Sequence, residues 1–600
     1  MGTGHSIDTP IRVAHLGISS VISIIDDVLI EKVREYYSRK FGLPYEKIYR
    51  FDSDARARRI TGYLETVQKI VHQKMEEVRR LPYFQRNEKQ TYFELLPNDS
   101  PLKVDYLRML TMPAGQEREA LEGSLTARMR PGDIDVNIMT KLDRTNVDQS
   151  GQPLSEEFSD AKAALRGYAS SSLQSAVEFS AGLNQRLFNY LAQFRDFYRT
   201  ESGDLKKKIV LKVSDFRSAV VQGKILAKKG LEVHEFRIES GLNCGGHAFA
   251  SNGYLLPSLL KEFNDKRDQL KAEFQPLIQK FYTTMGWKYP DAAANEQPIV
   301  TVQGGIGTSG EDRRLREQFG MDRTGWGTPF LLVPEATCVD DATRRILQCA
   351  TEEDVYLSEI SPLGIPFNNV HGTGSELATR KRVEEGRAGS SCPRGFLVSN
   401  TEFTEELICT ASTQYQTAKL AQVESMDVSR QEKERLVEGV VAKACICEHL
   451  GNGALISLGV AEPSKAPQAI SPGPNIAWFD RFYSLIEMVD HIYGRGKSLV
   501  PPHRPHMFAQ EIILYVDYFK RLVANCTYSQ REVSTLREFK ENLEKGMAFC
   551  LDLADQERYG DENLSSIPPC VREQQSRLRE IGILFEQTVA EMAAESLVIA

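Results

Sequence analysis

No run of apolar residues in this 600-residue chain is long enough to cross a bilayer, and residues 1–12 lack the apolar stretch of a secretory leader. Cysteine is scarce: ten residues are too few for a disulfide scaffold in a chain of this length. Charge of neither sign dominates. There are 74 basic against 82 acidic side chains, net −8, and no basic stripe with interleaved aromatics. A dedicated nucleic-acid binder looks different. Internal repeats and low-complexity tracts are also missing. These absences predict a soluble protein of a reducing, cytoplasmic compartment, with neither nucleic acid nor membrane as a partner. What remains is ordinary globular material, 41% hydrophobic and 26% charged, able to bury a large core. At about 150 residues per domain the length suggests about four domains, although enzyme barrels exceed that size as one unit.

Short β-type runs alternate with helical stretches over the first two-thirds of the chain. Residues 11–16 (IRVAHL) read as a strand closed by Gly17, and 24–41 as a helix. Residues 54–80, dense in Arg, Lys and Glu, read as a helix with a solvated face. Residues 133–139 (DIDVNIM) alternate as a strand, and 177–179 begin another that leads into a helix reaching Tyr198. Residues 208–213 (KIVLKV) are the clearest strand, with Ser214-Asp215 placed to cap a helix over 217–229. Strands over 233–238 and 297–302 (QPIVTV) end in Gly-rich turns. Strands separated by helices of about 10 to 15 residues imply βαβ units and a mostly parallel sheet. After residue 395 the short β runs thin out, and helical periodicity returns from 485, notably over 511–525 and 574–597. Four prolines within 463–474 predict a surface loop or linker. The tail after Pro501 reads as a mainly helical appendage, and His503-Arg504-Pro505-His506 as an exposed Pro-rich loop.

In a parallel α/β sheet or barrel, function gathers at the carboxyl ends of the strands. Three turns stand at such ends. In Asn243-Cys244-Gly245-Gly246-His247, two glycines let the backbone pass close to a flat ligand and present an imidazole over it. Gln303-Gly304-Gly305-Ile306-Gly307-Thr308 leads into a helix and offers backbone N–H groups to a phosphate. Gly325-Trp326-Gly327-Thr328-Pro329-Phe330 has the same potential. Taken singly, each is as well explained as a tight loop, and His247 as a structural histidine.

In order and separation, these turns resemble those of the nitronate monooxygenase (formerly 2-nitropropane dioxygenase) family. That family is an FMN-binding (β/α)8 barrel shared with flavin-dependent enoyl-acyl-carrier-protein reductases. Gly245-Gly246-His247 resembles its Gly-Gly-His turn, and Gly304-Gly305-Ile306 its Gly-Gly-Ile turn. The run from Gly327 to Phe330, followed by Pro334-Glu335-Ala336, resembles its Gly-Thr-x-Phe and Pro-Glu-Ala segment. Val136-Asn137 looks like its Val-Asn strand, residues 13–17 like the strand beneath the flavin, and residues 350–354 with 364–369 like its late barrel segment. The likeness runs over about residues 11–395, with a diverged or inserted stretch at 42–130. Cys244 stands where the family carries alanine. Nothing after residue 395 has a counterpart.

The resemblance implies an α/β fold, a TIM barrel binding FMN over residues 1–395; the helical periodicity of the rest predicts a mainly helical C-terminal domain over 396–600, as a lid or dimer surface. It implies a phosphate held at Gly304, Gly305, Gly307, Gly327 and Thr328. Ala14, Gly17, Asn137, Lys212, Cys244, Gly245 and Gly246 would complete the cofactor site. His247 would be the catalytic base, because a histidine's ordinary pKa of about 6.5 suits proton transfer near neutral pH. The leading expectation is an FMN-dependent oxidoreductase of the nitronate monooxygenase type acting on a small molecule. The alternatives are an NAD(P)H-dependent reductase of an enoyl thioester or other activated alkene, and a non-catalytic flavin- or partner-binding barrel. A homodimer stays open.

Cys392, Cys409, Cys445 and Cys447, with His449 close by, pose a separate question. Such thiolates ligate an iron–sulfur cluster or zinc only where the fold brings Cys392 and Cys409 beside Cys445-Ile446-Cys447. Cys-x-Cys is not the usual Cys-x-x-Cys clamp. The commoner fate of cysteine, a small buried hydrophobe, is the expectation for these four, with a redox pair serving the flavin as a further alternative, and packing rather than nucleophilic attack is expected of Cys244.

Overall fold

Seven parallel strands form one sheet in chain order: β1 (Ser20–Ser23), β2 (Ile134–Met139), β3 (Ala176–Ser180), β4 (Lys208–Val213), β5 (Val233–Glu239), β6 (Ile299–Gln303) and β7 (Arg323–Gly325). This is a computed structural model, and it describes residues 3–180, 182–291, 293–391 and 393–599. Every neighbouring pair runs parallel, so each connection crosses over, most of them through helices. Asp215 caps the helix Phe216–Ala227 by accepting from the Ser218 N–H at 2.7 Å, as its position after β4 predicts.

Strand periodicity of two splits the sheet into unlike faces. Val136, Ile138, Val177, Phe179, Ile209, Leu211, Phe236, Ile238, Val300 and Val302 face the helices and join one apolar cluster. The alternate positions are polar: Asp135, Asn137, Lys212, Arg237, Glu239, Thr301 and Gln303 all line a single cavity. Side chains from all seven strands reach that cavity, so the sheet curls around it. A filled barrel interior is dominated by branched aliphatics. Here charge pairs take their place: Arg237 with Glu178 and Glu235, and Lys212 with Glu239.

The expected eight-stranded closed barrel is not what forms. β1 and β7 do not pair. Across the gap between them the N-terminal helix Thr9–Val13 meets the segment after β7. Thr9 Oγ1 donates to the Ala336 carbonyl at 2.7 Å, and Val13 and Leu16 pack against Leu331, Leu332 and Val333. Residues 11–16, expected as a strand, therefore lie in that helix and a following 3-10 turn. Asp8 and Pro10 open a helix there, and alternation of apolar residues over so short a run cannot separate the two states. The late segment forms a separate antiparallel hairpin, β8 (Val355–Ser358) with β9 (Phe367–Val370).

Two further expectations change. The charged helix over Ala55–Arg80 is not simply solvated: Ile60, Tyr63, Leu64, Val67, Ile70 and Val71 form a fully buried stripe in the main cluster. The helices Met507–Ala524, Gln530–Ala554 and Ile567–Ile599 contribute to that same cluster, so the tail and the sheet share one core. Within the 42–130 stretch, the helices Glu88–Leu95, Pro101–Thr111 and Gln116–Arg128 add a small core of their own around Phe93 and Tyr106, whose rings stack at 4.4 Å. No described helix is long and apolar enough to cross a membrane.

Candidate functional site

The cavity encloses about 500 Å³, within the range of about 300–1,000 Å³ usual for small-molecule sites. It lies at the carboxyl ends of the strands and extends down between them. All three Gly-rich turns border it. Of the residues expected around a cofactor, Asn137, Lys212, Cys244, Gly245, Gly246, Gly304, Gly305, Gly327 and Thr328 line it, together with His247. Three others do not. Ala14 is buried in the 3-10 turn before β1, where its carbonyl accepts from Gly132 at 2.8 Å. Gly17 ends that turn at φ 84°, and a Cβ there would approach the Tyr92 ring at 3.0 Å. Gly307 lies behind the second turn, and its N–H donates to Glu311 Oε2 at 2.7 Å.

His247 is held by the β8–β9 hairpin. The Ala248 N–H donates to the Pro366 carbonyl at 2.8 Å, the Asn368 N–H to Gly246 at 2.9 Å, and the ring packs edge-on against Phe367. Its Nε2 lies 2.7 Å from the hydroxyl of buried Ser361. Burial, with the cations of Lys212 and Lys141 adding, pushes the imidazole down to about 4. It is therefore neutral across the physiological range, unlike the group titrating near neutrality that the sequence predicts. Beneath it, burial alone would lower the Lys212 ammonium, but the carboxylate of Glu239 leaves it above its ordinary value. Burial next to that same carboxylate raises the Cys244 thiol well above its ordinary range, so Cys244 is an un-ionised thiol.

The strongest departure from sequence expectation is the 463–474 segment. It is not a linker: Ala469, Ile470 and Ile476 are buried, and residues 471–475 cross the cavity and touch each Gly-rich turn in succession. The hydroxyl of Ser471 accepts from Gly246 at 2.8 Å and donates to the Asn368 carbonyl. The Gly473 N–H donates to Thr328 Oγ1 at 2.9 Å, and Asn475 Nδ2 donates to the Ile306 carbonyl at 2.9 Å. Glycine is required at two of these crossings. A Cβ on Gly245 would fall 2.4 Å from the Ser471 carbonyl oxygen, and one on Gly473 would fall 2.8 Å from the Asn243 carbonyl oxygen. The only hint in the sequence is the apolar pair Ala469-Ile470 before Ser471-Pro472-Gly473-Pro474, and Ile476 after it.

The exposed loop expected at 503–506 is a second correction. Arg504 is 4% exposed and His506 fully buried. Arg504 binds Glu311, Asn475 and the Gly305 carbonyl, and His506 Nε2 lies 2.8 Å from Glu562.

Cys392 falls outside the described residues. Cys409 and Cys445 are buried, and Cys447 is half-buried and borders the cavity. Among the described residues no group of three His, Cys, Asp or Glu side chains could hold a metal ion.

No family model matches the chain, and no curated protein does. Among solved structures it is similar to an enoyl reductase domain of MlnA from the macrolactin biosynthesis cluster of Bacillus amyloliquefaciens. The identity there is 15%, covering 64% of this chain and 86% of that one, at a TM-score of 0.34. It is also similar to a nitroalkane oxidase from Streptomyces ansochromogenes, at 11% identity over 63% of this chain and 83% of that one, TM-score 0.29. Superpositions this loose leave the assignment to the chain's own residues.

Proposed function

We propose that the protein is a flavin-dependent oxidoreductase with FMN in this cavity. The carrying observation is that one cavity joins three Gly-rich turns to an imidazole. Among the described residues the N–H groups of Gly305, Ile306 and Gly327 donate to no protein acceptor, as expected of amides kept for a phosphate. The Thr301 hydroxyl, buried and lining the cavity, also lacks a partner. These residues fit a flavin mononucleotide: amides for its phosphate, and Asn137, Lys212 and Gln303 as polar partners for a flat heterocycle. FMN, when bound, supplies the electron or hydride transfer that no side chain here can.

The state of His247 separates the two enzymatic alternatives. A base that titrates at about 4 is poorly matched to removing a proton from carbon at neutral pH. A neutral imidazole held by Ser361 is suited to donating a hydrogen bond to a carbonyl oxygen and polarising it. Reduction of an activated alkene therefore accords better with the site than oxidation of a nitronate.

Stopped-flow reduction of the FMN-loaded enzyme by NADPH, followed by mixing with a conjugated enone, tests this reading. Rapid reduction and enone-dependent reoxidation without oxygen are expected. His247→Ala should keep its flavin and lose at least about a hundredfold in the second step. Unchanged turnover in His247→Ala would contradict the role assigned to the imidazole. Oxygen-dependent turnover of a nitroalkane alone would restore the oxygenase reading.

A further inference from the structure

We propose that Arg504, from the C-terminal third, is a positioning residue that turns the Ile306 amide of the 304–307 turn toward a phosphate, with Asn475 and His491 fixing the two carbonyls that follow. This rests on the reading of the cavity as a flavin mononucleotide site. Three successive carbonyls of that turn are each held by a side chain of the C-terminal third. Gly305 O accepts from Arg504 Nη2 at 2.6 Å, Ile306 O from Asn475 Nδ2 at 2.9 Å, and Gly307 O from His491 Nε2 at 2.9 Å. The role of His491 is fixed by its other nitrogen. Nδ1 accepts from the Leu499 N–H at 3.1 Å, which leaves Nε2 as the ring's donor.

The consequence follows from peptide geometry. Every described peptide is trans, and in a trans peptide the C=O and the following N–H point in opposite directions. Fixing the Gly305 carbonyl on the guanidinium turns the Ile306 N–H the other way, and Ile306 borders the cavity. A cation on the carbonyl also polarises that peptide and makes its N–H a stronger donor. Without such anchors a turn with φ of 106° at Gly304 and 79° at Gly305 has many conformations available.

The guanidinium is itself built in. Arg504 Nη1 donates to Glu311 Oε1 at 2.7 Å and Nε to Asn475 Oδ1 at 2.9 Å. Glu311 in turn takes the N–H groups of Gly307 and Met507, each at 2.7 Å. A Cβ on Gly307 would fall 2.3 Å from Arg504 Cζ, so glycine at this position makes room for the arginine rather than for a ligand.

The test is equilibrium binding of FMN and of riboflavin, which lacks only the phosphate, to the full chain. The variants are Arg504→Lys, Asn475→Ala and the charge-neutral double variant Arg504→Met/Glu311→Gln. The full chain should prefer FMN. In each folded variant FMN affinity should fall about tenfold or more, with riboflavin affinity held within about twofold. Losing both ligands together, or neither, would overturn the proposal. Failure of all three variants to fold would overturn it too, because the clamp would then serve the fold and not the turn. If the full chain binds FMN and riboflavin equally, this inference falls and the flavin reading stands. If it binds neither, the flavin reading itself falls.

Discussion

The sheet that ends in the Gly-rich turns and the C-terminal segments at 471–475 and 491–507 meet at the same cavity with opposite means. The sheet contributes repetition: seven parallel strands with apolar side chains outward and polar side chains inward, each carrying the chain to its turn. The C-terminal third contributes isolated polar groups aimed at the backbone of those turns and at the Thr328 hydroxyl. Glycine turns have no side chains with which to hold themselves, so the conformational freedom that makes them useful near a ligand must be removed from elsewhere. Here it is removed by Ser471, Gly473, Asn475, His491 and Arg504.

The comparison breaks most visibly at Arg504. Arg504→Met leaves Glu311 buried without its partner and should cost about 3–5 kcal/mol in chemical denaturation. Adding Glu311→Gln should recover part of that loss; no recovery would mean that Arg504 acts by packing alone. A charge on the sheet side behaves differently. Burial raises the Asp135 carboxyl to about 7, so the folded state binds its proton more tightly than the unfolded chain does. Its contribution to stability is complete below about pH 4 and is lost as pH rises toward 7. Asp135→Asn should therefore gain on the parent as pH rises from 4 to 8, by up to about 4 kcal/mol. A difference between the two that does not vary with pH would contradict the assignment.

Smaller effects sharpen the contrast. Gly473→Ala crowds Asn243 and Thr328 and should cost about 1–3 kcal/mol while weakening FMN binding. The smallest change is Asp215→Ala, which removes a helix cap on the sheet side. About 1 kcal/mol of stability should be lost there, with FMN affinity untouched, as a thermal melt and a titration would show.

What the sequence reveals follows the same division. The strands at Lys208–Val213 and Ile134–Met139, and the cap at Asp215, are legible because period and capping are local signals. The inner face of Ala55–Arg80 is obscured because charge is plentiful on its other side. Its apolar stripe, from Ile60 to Val71 at three- and four-residue spacing, is nonetheless present. The missing eighth strand is hidden for another reason: residues 350–369 have strand-like content, and pairing partners are a tertiary matter. The roles of 471–475 and Arg504 leave no periodic trace, since one side chain on one distant carbonyl repeats nothing. Among the expected site residues, Asn137 and Lys212 on the strands and all those on the three turns except Gly307 meet at the cavity, and Ala14 and Gly17 stand outside it with Gly307.

The most direct test is the visible absorption spectrum of the purified 600-residue chain, before and after titration with FMN. A two-band flavin spectrum, either present on purification or reached by saturable uptake of one FMN per chain, is the predicted result. A colourless protein that takes up no FMN would contradict the account and leave only the curled sheet and its polar interior to explain.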